Sequence, residues 1–236
     1  SMEEELDKEL TTRIDGFCRH NKITRFSFLL AIFKIILMKT INQNDLTLAM
    51  SVAGRDHQQV EDMLAVFLNV LLTRSQIDKG DRFIDYLVHL SRQLLEDQDY
   101  QEYPYERLYA RIRDEQGYQQ NSLFSIMCNY MPYQEEERLE LDGVTIHPYK
   151  FEEEIDPKFG LVLYINETED QIIFKALYKD NLDQKMIELI LDNFEKVIET
   201  VLDNKEIEIN QINLMGADNV EEYSEEFDVE FEDLDF

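Results

Sequence analysis

Basic residues are scarce in this chain. Its 236 residues hold 23 Lys and Arg against 51 Asp and Glu, a formal net charge of -28. Such an acidic chain lacks the basic face that a phosphate backbone requires, which argues against nucleic-acid binding. It also lacks the polybasic segment of a membrane-surface protein. Cysteine is nearly absent: Cys18 and Cys128 are the two, without metal-type spacing and beside apolar or helical sequence. They read as reduced thiols of a cytoplasmic protein. The seven glycines build no phosphate-cradling loop and no Gly-x-Ser-x-Gly elbow. No signal peptide is visible. The longest apolar run, Phe26 to Met38, carries Ser27 and Lys34 and is too short to cross a bilayer. Ser1-Met2 reads as an expression scar.

Histidine is equally sparse. None of His20, His57, His89 and His147 has a His or Cys neighbour at metal spacing, so no metal is expected. His89 and His147 read as surface or boundary residues. His57 follows Gly54-Arg55 in a turn after an apolar strand, and the structural or pocket-lining reading outweighs the catalytic one. The carboxylates are too numerous to single out a catalytic pair.

Hydrophobic residues still make up 44% of the chain, enough for a core. Glu3 to Asn21 has Leu6, Leu10, Ile14 and Phe17 at helix-face spacing. Thr24 can cap the next helix, Arg25 to Thr40, which is apolar nearly all round and should be buried on most sides. Leu46 to Val52 reads as a buried strand broken at Gly54. Gln58 to Val66 reads as a short helix, with Val60, Met63, Leu64 and Phe67 at helix-face spacing. Phe67 to Leu72 reads as a second buried strand with Arg74 beyond its end. Asn69 sits inside that strand, and a buried amide costs free energy unless hydrogen-bonded. Asn69 is therefore a fixed contact or part of a site.

Phe83 to Leu95 is helical by spacing. Pro104 suits the first turn of a helix running through Arg107 to Asp114. Leu123 to Tyr130 is strand-like. Leu139 to Pro148 reads as a hairpin around Asp142-Gly143, and Phe159 to Asn166 with Gln171 to Tyr178 as another. Leu182 to Leu202 is amphipathic, with Ile187, Ile190, Leu191, Phe194, Val197 and Ile198 inward. No repeat is evident. The composition changes at Gly216: residues 216–236 hold ten acids and no Lys or Arg, and the remainder still carries -18. Residues 3–215 are thus expected to fold and 216–236 to be a disordered acidic tail. Phe227, Val229 and Phe231 alternate within it, and Leu234 and Phe236 follow; a mere solubiliser needs no such apolar groups.

Several blocks, in order, resemble the carboxy-terminal half of the condensation domains of non-ribosomal peptide synthetases. The family's Thr-x-Phe-x-x-Leu-Leu-Ala helix is matched by Thr24 to Ala31, and its Ala-Gly-Arg-x-His by Ala53, Gly54, Arg55, Asp56 and His57. Its Ile-Gly-x-Phe-Val-Asn-Thr-Leu-x-x-Arg is matched by Leu64 to Arg74. Its Gln-Asp-x-Pro-Phe-Glu is mirrored by Gln101 to Glu106, its Pro-Leu-Phe by Ser122-Leu123-Phe124, and its Phe-Asp-Leu by Phe159-Gly160-Leu161. Ala65, Val70, Ser122 and Gly160 depart from the pattern. The family's catalytic His-His-x-x-x-Asp-Gly is absent from the chain.

The resemblance implies an α/β fold: a single lobe of the chloramphenicol acetyltransferase-like architecture, a mixed sheet flanked by helices. It implies that the catalytic histidine belongs to a missing amino-terminal lobe and that this chain alone is inactive, with no catalytic residue of its own. Gly54, Arg55, His57, Asn69, Arg74, Pro104 and Glu106 become tunnel-lining or structural residues. No cofactor would bind directly; the substrates would arrive on phosphopantetheine arms of carrier proteins, in a peptide or hybrid peptide/polyketide assembly line. The tail resembles short linear docking motifs that bind a basic docking domain of a downstream subunit. A lone lobe would also expose apolar surface and could self-associate. A non-catalytic docking element and, less favoured, a stand-alone acyltransferase are the competing readings.

Overall fold

A computed structural model describes residues 1–55, 58–61, 63–117, 122–133 and 158–216. Its elements run β1 (Met2–Leu6), α1 (Lys8–Asn21), α2 (Arg25–Thr40), β2 (Asp45–Val52), α3 (Gln58–Glu61), β3 (Asn69–Gln76), α4 (Phe83–Gln98), α5 (Tyr105–Gln116), β4 (Ile126–Met131), β5 (Leu161–Glu167), β6 (Ile172–Tyr178) and α6 (Gln184–Asp203), closed by a 3-10 turn at Ile209–Gln211. The six strands form one mixed sheet in the order β1-β6-β5-β4-β2-β3. β4 is parallel to both β2 and β5. The other pairings are antiparallel.

The expected buried helix is α2. Thr24 caps it by accepting a hydrogen bond from the Ser27 amide. Its apolar circumference is buried because it touches α1, α4, α6 and β2 at once. Phe33 stacks on Phe194 of α6, which in turn stacks on Phe174 of β6 at 3.9 Å between centroids. The strands feed this core by alternation. Leu161, Leu163 and Ile165 of β5 and Ile172, Phe174 and Ala176 of β6 face the helices. On the opposite sheet face, Ala49, Phe124, Met127 and Val162 form a smaller cluster with Tyr105, Phe159 and Tyr164 packed against it.

The beginning of the chain differs from the spacing-based expectation. Met2–Leu6 is not helix but an edge strand pairing with β6, Met2 opposite Ala176 and Leu6 opposite Ile172. The helix starts only at Lys8, where Asp7 accepts from the Leu10 amide at 2.7 Å. Leu6 fits both periodicities, and the open edge of β6 decides between them. The expected helix over Gln58 to Val66 shrinks to the single turn of α3; Met63 and Leu64 are exposed, not inward, and Phe67 is half-buried. β3 runs on to Gln76, so Arg74 lies within the strand. The expected hairpin at Leu139 to Pro148 and the segment 217–236 lie outside the described residues. Cys18 and Cys128 are unpaired and buried, and burial pushes each thiol pKa up to about 12. Among the described residues no helix is long and apolar enough to cross a membrane.

Candidate functional site

Several of the sequence blocks singled out above meet near the Gly54 end of β2 and the Asn69 end of β3, whereas the Thr24–Ala31 block lies in α2 in the helical core. β2 leaves the sheet at Val52, and the chain turns at Gly54 with φ +62°. A Cβ on Gly54 would stand 2.2 Å from the Phe67 carbonyl oxygen. Only glycine combines that left-handed conformation with that approach. Arg55 then reaches across the loop and donates to the carbonyls of Met63 and Ala65, both at 3.0 Å. Its guanidinium lies 4.8 Å from the centroid of the Phe67 ring, a cation–π geometry. Gly54 and Arg55 thus hold Met63 to Leu68 as an irregular rim, exposed except at the half-buried Phe67. These contacts replace the helix that the apolar spacing suggested.

Asn69 opens β3 and is saturated. Its Nδ2 donates to the carbonyls of Gln101 at 2.7 Å and Tyr103 at 2.8 Å. Its Oδ1 accepts from the Tyr105 amide at 3.2 Å. The polar interruption in an apolar strand is therefore the clamp for the turn that launches α5. Pro104 is the N-cap residue of α5, extended at φ -62°, ψ 130°, as suits a helix entry. Glu106 is exposed in the first turn of α5.

Tyr105 carries the clamp further. Its hydroxyl accepts from the Leu123 amide and hydrogen-bonds Ser122, both at 3.1 Å. Its ring meets Phe124 edge-on at 5.4 Å, and Phe124 meets Phe159 at 4.8 Å. The resulting aromatic wall lies on the sheet face away from the helical core. Tyr105, Phe124 and Phe159 were not singled out as site residues, although each lies inside a matching block. Only the third dimension brings them together.

The sheet is thin beside this wall. β2 and β4 share one ladder position, Ala49 opposite Met127. Beyond it the side chain of Asn129 substitutes for the main chain, accepting from the Ser51 amide at 3.1 Å. Arg74 sits apart from the wall, paired through Nε and Nη2 with Asp45 at 2.8 and 2.6 Å. Those hydrogen bonds hold the Asp45 carboxyl down at about 2.

Two polar clusters escaped the sequence reading. Arg25 at the start of α2 pairs with Asp15 of α1 and Glu167 of β5, each at 2.5 Å. Tyr130 also donates to Glu167. Lys34 is fully buried in α2 and donates to the Thr73 carbonyl at 3.1 Å, Thr73 Oγ1 at 3.3 Å and Ser75 Oγ at 2.8 Å. Burial pulls its ammonium pKa down to about 7, against the attraction of Asp97.

His20 and His89 are exposed and far from the wall in sequence, while His57 and His147 lie outside the described residues. Among the described residues no group of His, Cys, Asp and Glu could hold a metal.

The family described as Condensation domain matches residues 1–222. Gramicidin S synthase 2 of Brevibacillus brevis is 26% identical over 212 residues, which are 89% of this chain and 5% of that protein. Bacitracin synthase 2 of Bacillus licheniformis is 25% identical over 214 residues, 90% of this chain and 8% of that protein. Among solved structures, the four-domain non-ribosomal peptide synthetase AB3403 superposes with a TM-score of 0.77 at 16% identity, covering 92% of this chain and 18% of that one. The first condensation domain of the CDA synthetase gives a TM-score of 0.66 at 13% identity, covering 91% of this chain and 48% of that one. The chain therefore spans about half of that solved domain and a small part of the synthetases it matches.

Proposed function

The chain belongs to the condensation-domain family, and from that premise we propose that it is the carboxy-terminal half of a peptide-bond-forming condensation domain of a non-ribosomal peptide synthetase. The carrying observation is the coverage: 91% of this chain accounts for 48% of a solved condensation domain. The chain's own geometry supports the reading, because parts of the blocks at Gly54–Arg55, Phe67–Asn69, Gln101–Tyr105, Ser122–Phe124 and Phe159 meet in one wall and rim.

In this reading an amino-terminal lobe supplies the histidine that takes the proton as the acceptor amine attacks the donor thioester. The amide bond forms and the thiolate of the donor's phosphopantetheine arm leaves. This lobe does no proton chemistry. Its Gly54–Arg55 turn holds the rim, its Asn69 clamp places the aromatic wall, and both line the tunnel between the lobes. Leu64, Val66 and Leu68, exposed at 105%, 87% and 71%, are the apolar surface that the other lobe covers. Carrier proteins deliver both substrates, and Phe227, Val229, Phe231, Leu234 and Phe236 dock a basic hairpin domain of a downstream subunit by adding a strand.

The test is reconstitution. This chain, joined to the amino-terminal half of a condensation domain carrying His-His-x-x-x-Asp-Gly, should transfer a carrier-bound donor to a carrier-bound acceptor, and neither half alone should. A folded, assembled pair without turnover would overturn the enzymatic reading in favour of a non-catalytic docking element. The docking part is tested separately with Phe227→Ala/Phe231→Ala. Equal affinity of wild type and variant for a basic docking domain would remove the tail as its recognition element.

A further inference from the structure

The sheet face that carries the aromatic wall continues past it as a band of neutral polar side chains. β4 runs parallel to both β2 and β5, and open sheets hold ligands in the crevice at the carboxyl ends of such strands. Alternation puts Ser51 of β2, Asn129 of β4, and Tyr164 and Asn166 of β5 on the face of Ala49, Met127 and Val162. Ser51 is exposed and the other three are half-buried. Asn129 lies opposite Tyr164, and the exposed Met131 lies opposite Asn166. The next residue across from Tyr164, on β6, is Lys175, whose charge is paired with Glu3 at 2.6 Å.

This band has hydrogen-bonding capacity to spare. The β2–β4 ladder holds one position, Ala49 opposite Met127; the next, Ser51 beside Asn129, is closed by the Asn129 side chain. The Ser51 amide can only donate, so the Asn129 atom it meets is the acceptor Oδ1, and Nδ2 remains a donor. Nδ2, the Tyr164 hydroxyl and the Asn166 amide make no hydrogen bond among the described residues. The Ser51 hydroxyl meets only the Met127 sulfur, at 3.8 Å. None of these atoms is a buried orphan, so each reaches solvent. Neighbouring strands lie about 4.8 Å apart, which lets Asn129 and Tyr164 share one carbonyl oxygen with its two lone pairs. Donors and acceptors without charge, next to Met127 and Met131, suit a neutral group that both donates and accepts and has apolar flanks. A secondary amide is such a group.

We propose that Ser51, Asn129, Tyr164 and Asn166 form a binding site for the secondary amides of a substrate chain, a role that rests on the condensation reading for the identity of that chain. Asn129 and Tyr164 donate to the amide oxygen, and Asn166 pairs with the neighbouring N–H. The four are positioning residues: they hold the chain beside the reacting thioester and exchange no proton with it. Two sources carry the same chemistry, the peptide already attached to the thioester and the phosphopantetheine arm beneath it. A main-chain ladder at Ser51 and Asn129 would have used main-chain groups alone; closure by a side chain ties the open end of the sheet to a residue that also faces the substrate.

The experiment titrates the full 15N-labelled chain with N-acetylglycine methylamide, a neutral probe with two secondary amides, and with methyl acetate, which lacks the N–H. The side-chain amide signals of Asn129 and Asn166, assigned with Asn129→Asp and Asn166→Asp, should shift saturably with the first probe and less with the second. Tyr164→Phe and Asn166→Leu remove groups without a protein partner, so each should weaken binding of the amide probe about 2–10-fold and leave the urea midpoint unchanged. No saturable shift, or one that both variants leave as it was, overturns the proposal. In the reconstituted pair the same variants should raise KM with kcat nearly constant. A rise for a peptidyl donor but not for a fatty-acyl donor assigns the amide to the peptide, and an equal rise assigns it to the arm; either bears out the site. Unchanged KM with both donors overturns it. A pair without turnover overturns the condensation reading alone, because the titration needs no second half.

Discussion

Gly54 and Phe67 meet backbone to backbone: a Cβ at Gly54 would stand 2.2 Å from the Phe67 carbonyl oxygen. The contact closes the loop between β2 and β3 and turns Leu64, Val66 and Leu68 outward. Gly54→Ala adds a left-handed strain of about 1–2 kcal/mol to that clash. We expect a loss of about 2 kcal/mol or more by urea unfolding, with faster amide exchange confined to Met63–Asn69. An alanine variant as stable as the wild type would show that the turn relaxes freely.

Asn69→Leu removes two donors and one acceptor and leaves the Gln101 and Tyr103 carbonyls without that partner. The expected cost is about 2–3 kcal/mol. Its signature is local: proteolysis should move to residues 100–104, and the Tyr105–Phe124 ring contact should loosen before β3 does. Uniform destabilisation without new cleavage there would contradict the clamp.

Arg25→Ala strands Glu167, whose side chain is only 8% exposed, beside Tyr130. Removing one partner of a nearly buried pair costs about 3 kcal/mol. Arg25→Ala/Glu167→Gln should recover much of that loss. A double variant no more stable than the single one would show that the pair contributes through packing instead.

The buried ammonium of Lys34 makes stability pH-dependent. Its folded pKa of about 7 lies below the unfolded value of about 10.4. The unfolded chain thus holds the proton more tightly between those values. The burial penalty is complete below about pH 7 and is relieved as pH rises toward 10. Thr73, Ser75, Asp97 and Cys128 are the groups around it, and Cys128, pushed up to about 12, stays protonated across that window. Urea midpoints should therefore climb between about pH 7 and 9, and Lys34→Met should flatten the climb. An unchanged slope in Lys34→Met would assign it to other groups.

Charge, composition and strong periodicity made much of this legible in advance. α2 runs over Arg25–Thr40 as its apolar circumference and Thr24 cap indicated. All six inward residues named on α6 are buried. β5 and β6 form the expected antiparallel pair. Long elements with one dominant pattern are legible because burial enforces the pattern residue by residue. Asn69 was legible as an anomaly for the same reason: a lone amide in an apolar strand demands partners.

What sequence determines by itself is therefore local: which segments carry a core face, where the caps and breaks fall, and that no catalytic histidine motif is present. Tertiary structure decided the rest. Leu6 could serve a helix or a strand equally, and the free edge of β6 made it strand. Met63 and Leu64 had helical spacing, but the Gly54 turn and the Arg55 hydrogen bonds held them in an exposed rim. Tyr105, Phe124 and Phe159 became a wall only when Asn69 tied the entry of α5 to β3. Spacing reports what one segment prefers, whereas pairing, closure and clamping depend on partners far away in the chain.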